Sequence, residues 1–170
     1  MARTYEALAS QTLGSAASSV EFTSISGNYT DLVLVCFERG SDNSASGNLR
    51  FNSDTGSNYS RTRLLGFSGG ALSSRDSSQT SILAGSSTLN NATSGIFATT
   101  IHQIMSYSNG NVYKTVLSSA ADPGNTDSRV HRVVGLWRNT AAITTVTYLH
   151  ASANFAAGST FSLFGIKASA

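Results

Sequence analysis

The segment Ile143–Lys167, ITTVTYLHASANFAAGSTFSLFGIK, decides the fold class. In its first half Ile143, Thr145, Thr147 and Leu149 alternate with Thr144, Val146 and Tyr148. In its second half Phe161, Leu163 and Gly165 alternate with Ser162, Phe164 and Ile166. A period of two marks a pleated strand whose two faces meet different environments. Between the halves, Ala153–Ser159 is made of small residues with Asn154 and Gly158, and Phe155 is its one large side chain. That composition predicts a bend whose aromatic plugs the end of a sandwich. A strand so close to a terminus stays ordered when it has partners on both sides, so the closing strand is expected inside a sheet.

The same alternation recurs upstream. Asp31–Arg39 (DLVLVCFER) is apolar on both faces and reads as a central strand, with Cys36 as a small core hydrophobe. Shorter strands are expected at Val20–Thr23, Asn48–Asn52 and Arg61–Phe67. Ile96–Met105 and Val112–Ser118 flank Asn109-Gly110-Asn111, a tight-hairpin signal. Arg129–Arg138 (RVHRVVGLWR) is one more strand. Gly40–Gly47, Ser68–Thr80 and Gly85–Ser94 read as long polar loops. Nine or ten short strands without a long helix predict an all-β, antiparallel β-sandwich of jelly-roll type. Its expected core is Leu34, Cys36, Phe37, Ile101, Val134, Trp137, Val146, Phe161 and Leu163.

The chain has 170 residues, enough for one domain with its own core. Ala2–Ser19 carries only Tyr5, Leu8 and Leu13 as large apolar side chains. It reads either as an edge strand or frayed terminus, or as an extended arm lying on a neighbouring subunit. The second reading divides the chain into an arm, residues 1–18, and a sandwich, residues 19–170, with Tyr5, Leu8 and Leu13 as interface anchors.

The composition speaks against most chemistry. Charged residues make up 12% and the net charge is +2, too little to expect a nucleic acid or an anionic membrane as partner. A single cysteine permits no internal disulfide. No apolar run resembles a signal peptide or a membrane span, so synthesis in a cytoplasm is expected. His102, His131 and His150 fall in separate strands, as half-exposed face residues rather than a zinc set. Asp54, Asp76, Asp122 and Asp127 are placed in loops, where a glycosidase pair would need an aromatic cleft. Asn52, Asp54, Gly56 and Asn58 hint at a calcium loop but lack the closing glutamate, and Asx-turn chemistry explains them. No serine lies in a nucleophile elbow and no glycine run matches a phosphate loop. No catalytic residue, cofactor or metal is expected.

Several stretches together resemble a known module: TYEALASQTLGSAASSVEFTSI (4–25), YTDLVLV (29–35), FNSDTGSNYS (51–60), YKT (113–115) and NFAAGSTFSLFGIKA (154–168). They are similar to a family of small virion structural proteins of tailed phages, notably cyanophages and other aquatic phages. The resemblance spans nearly the whole chain. It implies a non-enzymatic component of the virion, used in that family as a head decoration protein or as part of tails and fibres. On that footing the expected role is a capsid decoration or cement protein, binding the outer head surface where major capsid protein subunits meet. A homotrimer is expected by analogy with viral assemblies. The alternative is a tail or fibre component that recognises host cell-surface glycan, with Tyr59 or Tyr107 stacking on a sugar ring.

Overall fold

The computed structural model describes residues 5–43, 46–124 and 128–167. These contain twelve strands and no helix. In chain order they are β1 (Tyr5–Thr12), β2 (Ser19–Phe22), β3 (Asp31–Glu38), β4 (Gly47–Phe51), β5 (Tyr59–Phe67) and β6 (Gly70–Gln79). There follow β7 (Ile82–Gly85), β8 (Ala98–Met105), β9 (Lys114–Asp122), β10 (Arg129–Trp137), β11 (Val146–His150) and β12 (Thr160–Ile166). One sheet has the order β1-β12-β3-β8-β9-β10-β5-β6 and the other β2-β11-β4-β7, and the named pairings are antiparallel.

Setting β5, β6, β9 and β10 aside leaves β1-β12-β3-β8 facing β2-β11-β4-β7. In that frame the chain changes sheet at every connection except β4 to β7, which are neighbours. This is the wrap of a jelly roll. The other four strands are two excursions, β5–β6 between β4 and β7, and β9–β10 between β8 and β11. All four add to the same side of the large sheet, beyond β8.

Each face of a strand follows the period of two. Leu34, Cys36, Trp137, Val146, Phe161 and Leu163 are buried as expected. Phe155 is fully buried too, stacked on Tyr148 at 5.4 Å between ring centroids and edge-on to Phe161 at 5.0 Å. The closing strand β12 is flanked by β1 and β3, inside the sheet. Three expected core residues face outward instead: Phe37, Ile101 and Val134 are 45%, 41% and 52% exposed. On β3 both faces are apolar, so the sequence does not say which is inside. On β8 both faces mix polar and apolar residues, and the inward one is Ala98, Thr100, His102 and Ile104, where Glu38 accepts from Thr100 and Ser118 meets His102 Nδ1.

The arm reading is corrected. Its residues 1–4 lie outside the described residues, but Tyr5–Thr12 is the first strand of the jelly roll. It pairs along its length with β12, from Tyr5 opposite Ile166 to Thr12 opposite Thr160, through a bulge at Ala7–Ala9. Leu13 follows as a core residue, and its backbone N–H and carbonyl bond to Ser159 and Gly158. A segment too poor in apolar surface to fold alone is ordered here, over Tyr5–Thr12, by main-chain hydrogen bonds to the edge of β12.

Two loops are corrected as well. Gly70–Gln79 is the edge strand β6, invisible in the sequence because solvent on both faces imposes no alternation. Its Asp76 accepts from the Arg61 guanidinium at 2.6 Å. The Asn109-Gly110 turn is not a two-residue hairpin; β8 and β9 are joined by a broad loop in which Ser106 takes the positive φ of 49°. Lys114 holds that loop, its buried Nζ donating to the carbonyls of Asn109, Val112 and Thr140 at 2.6–2.9 Å.

Phe161→Ala should cost about 3–5 kcal/mol, because its ring is fully buried among Tyr148 and Phe155. Deleting residues 2–18 should collapse the thermal transition of the whole domain, since it strips β12 of a partner and the core of Leu13. Chemical denaturation and differential scanning calorimetry check both; an unchanged melting temperature in the truncated chain would contradict the strand assignment.

Candidate interaction surface

The strands that lengthen the large sheet also set its outer surface. Inward side chains on β8, β9 and β10 occupy alternate positions and are buried, which turns Ile101, Met105, Leu117, Val130 and Val134 outward. Leu64 of β5 faces the same way. Register joins them into one face. Leu117 lies opposite Val134 and beside Gln103, Ala121 opposite Val130, and Arg132 between Ser119 and Leu64. Leu64 is 57% and Val130 62% exposed. An open depression of about 460 Å³ runs between Leu64, Gln103, Leu117, Arg132 and Val134. Single exposed apolar residues are ordinary, but a contiguous patch of them is the mark of a contact surface. At the β3 end Phe37 is partly covered by Phe97, stacked on it at 4.8 Å.

The polar groups are mostly inside. Glu38 sits on the inward face of β3, fully buried, where its Oε1 accepts from Tyr148 of β11 at 2.7 Å and from Thr100 of β8 at 2.9 Å. Its Oε2 has no hydrogen-bond partner among the described residues. Burial pushes its carboxyl up to about 7; the two hydroxyls pull it down, and the nearby Asp122 carboxylate pushes it up further. The sequence reading passed over Glu38. The signal was present, since it continues the inward series Leu32, Leu34 and Cys36.

The three histidines are buried rather than half-exposed, and each has its own surroundings. His102 Nδ1 meets Ser118 Oγ at 2.8 Å, and burial lowers its pKa to about 3. His150 Nε2 meets Ser87 Oγ at 3.2 Å. Burial first, then the charges of Arg63, Arg129 and Arg61, lower His131 to about 4. Among the described residues no three His, Cys, Asp or Glu side chains are grouped to hold a metal. Cys36 is buried, which pushes its thiol well up.

The acidic residues are tied to structural partners. Asp54 Oδ1 caps the Gly56 N–H, and its Oδ2 accepts from Asn58 and, at 2.7 Å, from Trp137 Nε1; that last bond leads in holding its carboxyl below the usual value. Asn52 Oδ1 accepts from the N–H groups of Thr144 and Thr145. The Asx-turn account of this segment therefore describes its geometry. Asp76 and Asp122 are on β6 and β9 rather than in loops, and Asp122 accepts from Thr88 Oγ1. Asp127 lies outside the described residues.

The proposed anchors separate. Leu13 is in the chain's own core; Leu8 packs against that core and lines a recess between β1 and β2; only Tyr5 is substantially exposed, at 55%. Tyr59 and Tyr107 are fully buried, so neither presents a ring face to a sugar. The polar loop after β7 is clamped from below. The Arg39 guanidinium donates to the carbonyls of Asn90, Ala92, Thr93 and Ile96 at 2.7–3.1 Å.

No family model matches the chain, and no curated protein matches it. Among solved structures it is similar to galectin LEC-6 of Caenorhabditis elegans, at 12% identity and TM-score 0.35, over 94% of this chain and 96% of the galectin. It is also similar to a GH43 glycoside hydrolase with endo-xylanase and exo-arabinofuranosidase activity, at 12% identity and TM-score 0.37, over 96% of this chain and 36% of that one. The exo-inulinase of Aspergillus awamori is similar at 10% identity and TM-score 0.31, over 95% of this chain and 29% of the enzyme. At these scores the likenesses carry no argument about activity or ligand. No helix among the described residues is long and apolar enough to cross a membrane.

Glu38 generates a pH dependence. Its folded pKa, about 7, lies above the ordinary value of 4.5, so its contribution to stability is complete below about 4.5 and is lost as pH rises through about 7. That loss is on the order of 3 kcal/mol. Glu38→Gln keeps an oxygen for Tyr148 and Thr100 but cannot ionise. The stability difference, wild type minus variant, should therefore fall between pH 4.5 and 7 and flatten above it. Taking the difference cancels the histidines, whose lowered values act in the opposite direction. Urea titrations across that range check it; a difference independent of pH would mean that Glu38 ionises freely in the folded state.

Proposed function

We propose that this chain is a structural, non-catalytic virion protein that decorates the outer head surface of a tailed phage, docking on the major capsid protein. The observation that carries the reading is the exposed apolar face of β8, β9, β10 and β5. A protein that works by adhering to a protein lattice needs such a surface. Four of its apolar side chains, Leu64, Leu117, Val130 and Val134, belong to the strands added to the jelly-roll frame. The resemblance of the chain's two ends to small virion proteins supports the reading. The jelly roll is a fold that capsid and lectin domains share, which adds analogy only. Among the described residues Asp54, Asp76 and Asp122 bond within the fold and the three histidines are buried, and that favours adhesion over chemistry. The homotrimer belongs with this placement, at threefold positions of the lattice.

The glycan-recognising tail reading loses its aromatic platform, since Tyr59 and Tyr107 are inside. Quantitative mass spectrometry of purified particles should find hundreds of copies per head, and Leu117→Asp or Val134→Asp should abolish incorporation without lowering the melting temperature. A handful of copies per particle would transfer the protein to the tail. Full incorporation of both variants would remove the outer face from the interface.

A further inference from the structure

The outer face is apolar, but its charges are lopsided. Arg132 stands in its middle on β10, flanked along the strand by Val130 and Val134 and across it by Ser119 and Leu64. It is exposed, and among the described residues no hydrogen bond or ion pair holds its guanidinium. Arg75 of β6 faces the same way, opposite Thr62. Among the outward positions of β8, β9, β10 and β5 there is no carboxylate.

We infer that the surface covering this face is that of a different protein, apolar and bearing a carboxylate that pairs with Arg132 inside the contact. The inference rests on the outer face being the docking surface and names the chemistry of what docks there. An apolar partner laid over Leu64, Leu117, Val130 and Val134 strips water from the guanidinium among them. A buried cation without an acceptor is strongly unfavourable, so a binding surface must supply one. Arg presents a planar fork of donors that a carboxylate meets with two parallel bonds, and it tolerates dehydration better than an ammonium does.

A second copy of this chain does not meet that requirement. Placed face to face, two copies bring together Arg132 and Arg75 from each side and no carboxylate from either, a like-charge juxtaposition in a drying interface. Nucleic acid fits no better. Two cations amid valines and leucines neutralise few phosphates, and the apolar side chains would face a polyanion.

The test uses the intact protein and two amphiphiles of equal chain length, decanoate and decyltrimethylammonium, each below its micelle concentration. Methyl NMR follows Leu64, Leu117 and Val134. Decanoate should shift these resonances saturably and bind at least tenfold more tightly than the cation. Arg132→Gln should erase that preference while leaving the melting temperature unchanged, as expected for an exposed side chain. Equal binding of the two amphiphiles, or a preference that survives Arg132→Gln, would overturn the inference. Sedimentation showing self-association that Arg132→Gln strengthens would assign the face to a second copy and also overturn it. Oleate bound at nanomolar concentration, one per chain, would make the face a lipid site, with the same consequence. Particle copy number does not enter this titration, so a failed virion placement and a failed carboxylate preference are separately visible.

Discussion

The Tyr148 hydroxyl reaches from the small sheet into the large one to donate to Glu38, and much of the interior is arranged around that crossing. The phenol lies over Gly47 of β4 and Gly85 of β7, where a Cβ on either residue would sit 1.9 Å from its oxygen. Only residues without a side chain admit it. Its ring packs on Phe155, Phe161 and His102, so one residue joins the plug of the sandwich end, the closing strand and the polar row of β8. The acceptor is an ionisable group whose carboxyl burial pushes up to about 7. Stability in this part of the core is therefore coupled to protons rather than to apolar area alone.

That polar interior explains a surface that looks inverted. Among the apolar residues of the inward faces of β8 and β9 stand threonine, histidine, serine, lysine and aspartate, each with at least one hydrogen bond to a neighbour. The outward faces of the same strands carry Ile101, Met105 and Leu117 among threonine, glutamine, serine and alanine. A sheet free in water settles the other way round, because burying apolar rather than polar groups is what stabilises it. The arrangement is what the proposed docking calls for, with the small sheet on one face of the large sheet and a partner on the other. The jelly-roll frame supplies the first cover, and the added strands broaden the surface offered to the second.

Charge is used sparingly and mostly for architecture. Arg39 and Lys114 are turned on backbone carbonyls and hold the loop after β7 and the broad β8–β9 connection, work that chains richer in loops often leave to side-chain caps or metals. Asp54 and Asn52 do the same with N–H groups around the β4–β5 turn. Arg132 is the contrast, an exposed cation on an apolar face without an acceptor among the described residues.

The sequence by itself determined the class of the fold. The alternation in Ile143–Leu149 and Phe161–Ile166 and the two-sided apolar run at Leu32–Phe37 follow directly from the period of a strand, and they survive in β11, β12 and β3. It also determined that Asp54 and its neighbours form an Asx turn, because that chemistry is local. Tertiary structure alone decided which face of each strand is inside. Where both faces are apolar, as in β3, or where the polar face finds buried partners, as in β8, only the register with other strands chooses, and that depends on residues distant in the chain. The same cause hid β6 and left β1 open between an edge strand and an arm, because their strand character comes from hydrogen bonds to a neighbouring edge rather than from any pattern of their own. It hid the outer face too, since an exposed patch is a property of the surfaces that pack together, whereas Glu38 was legible as the next inward position after Cys36.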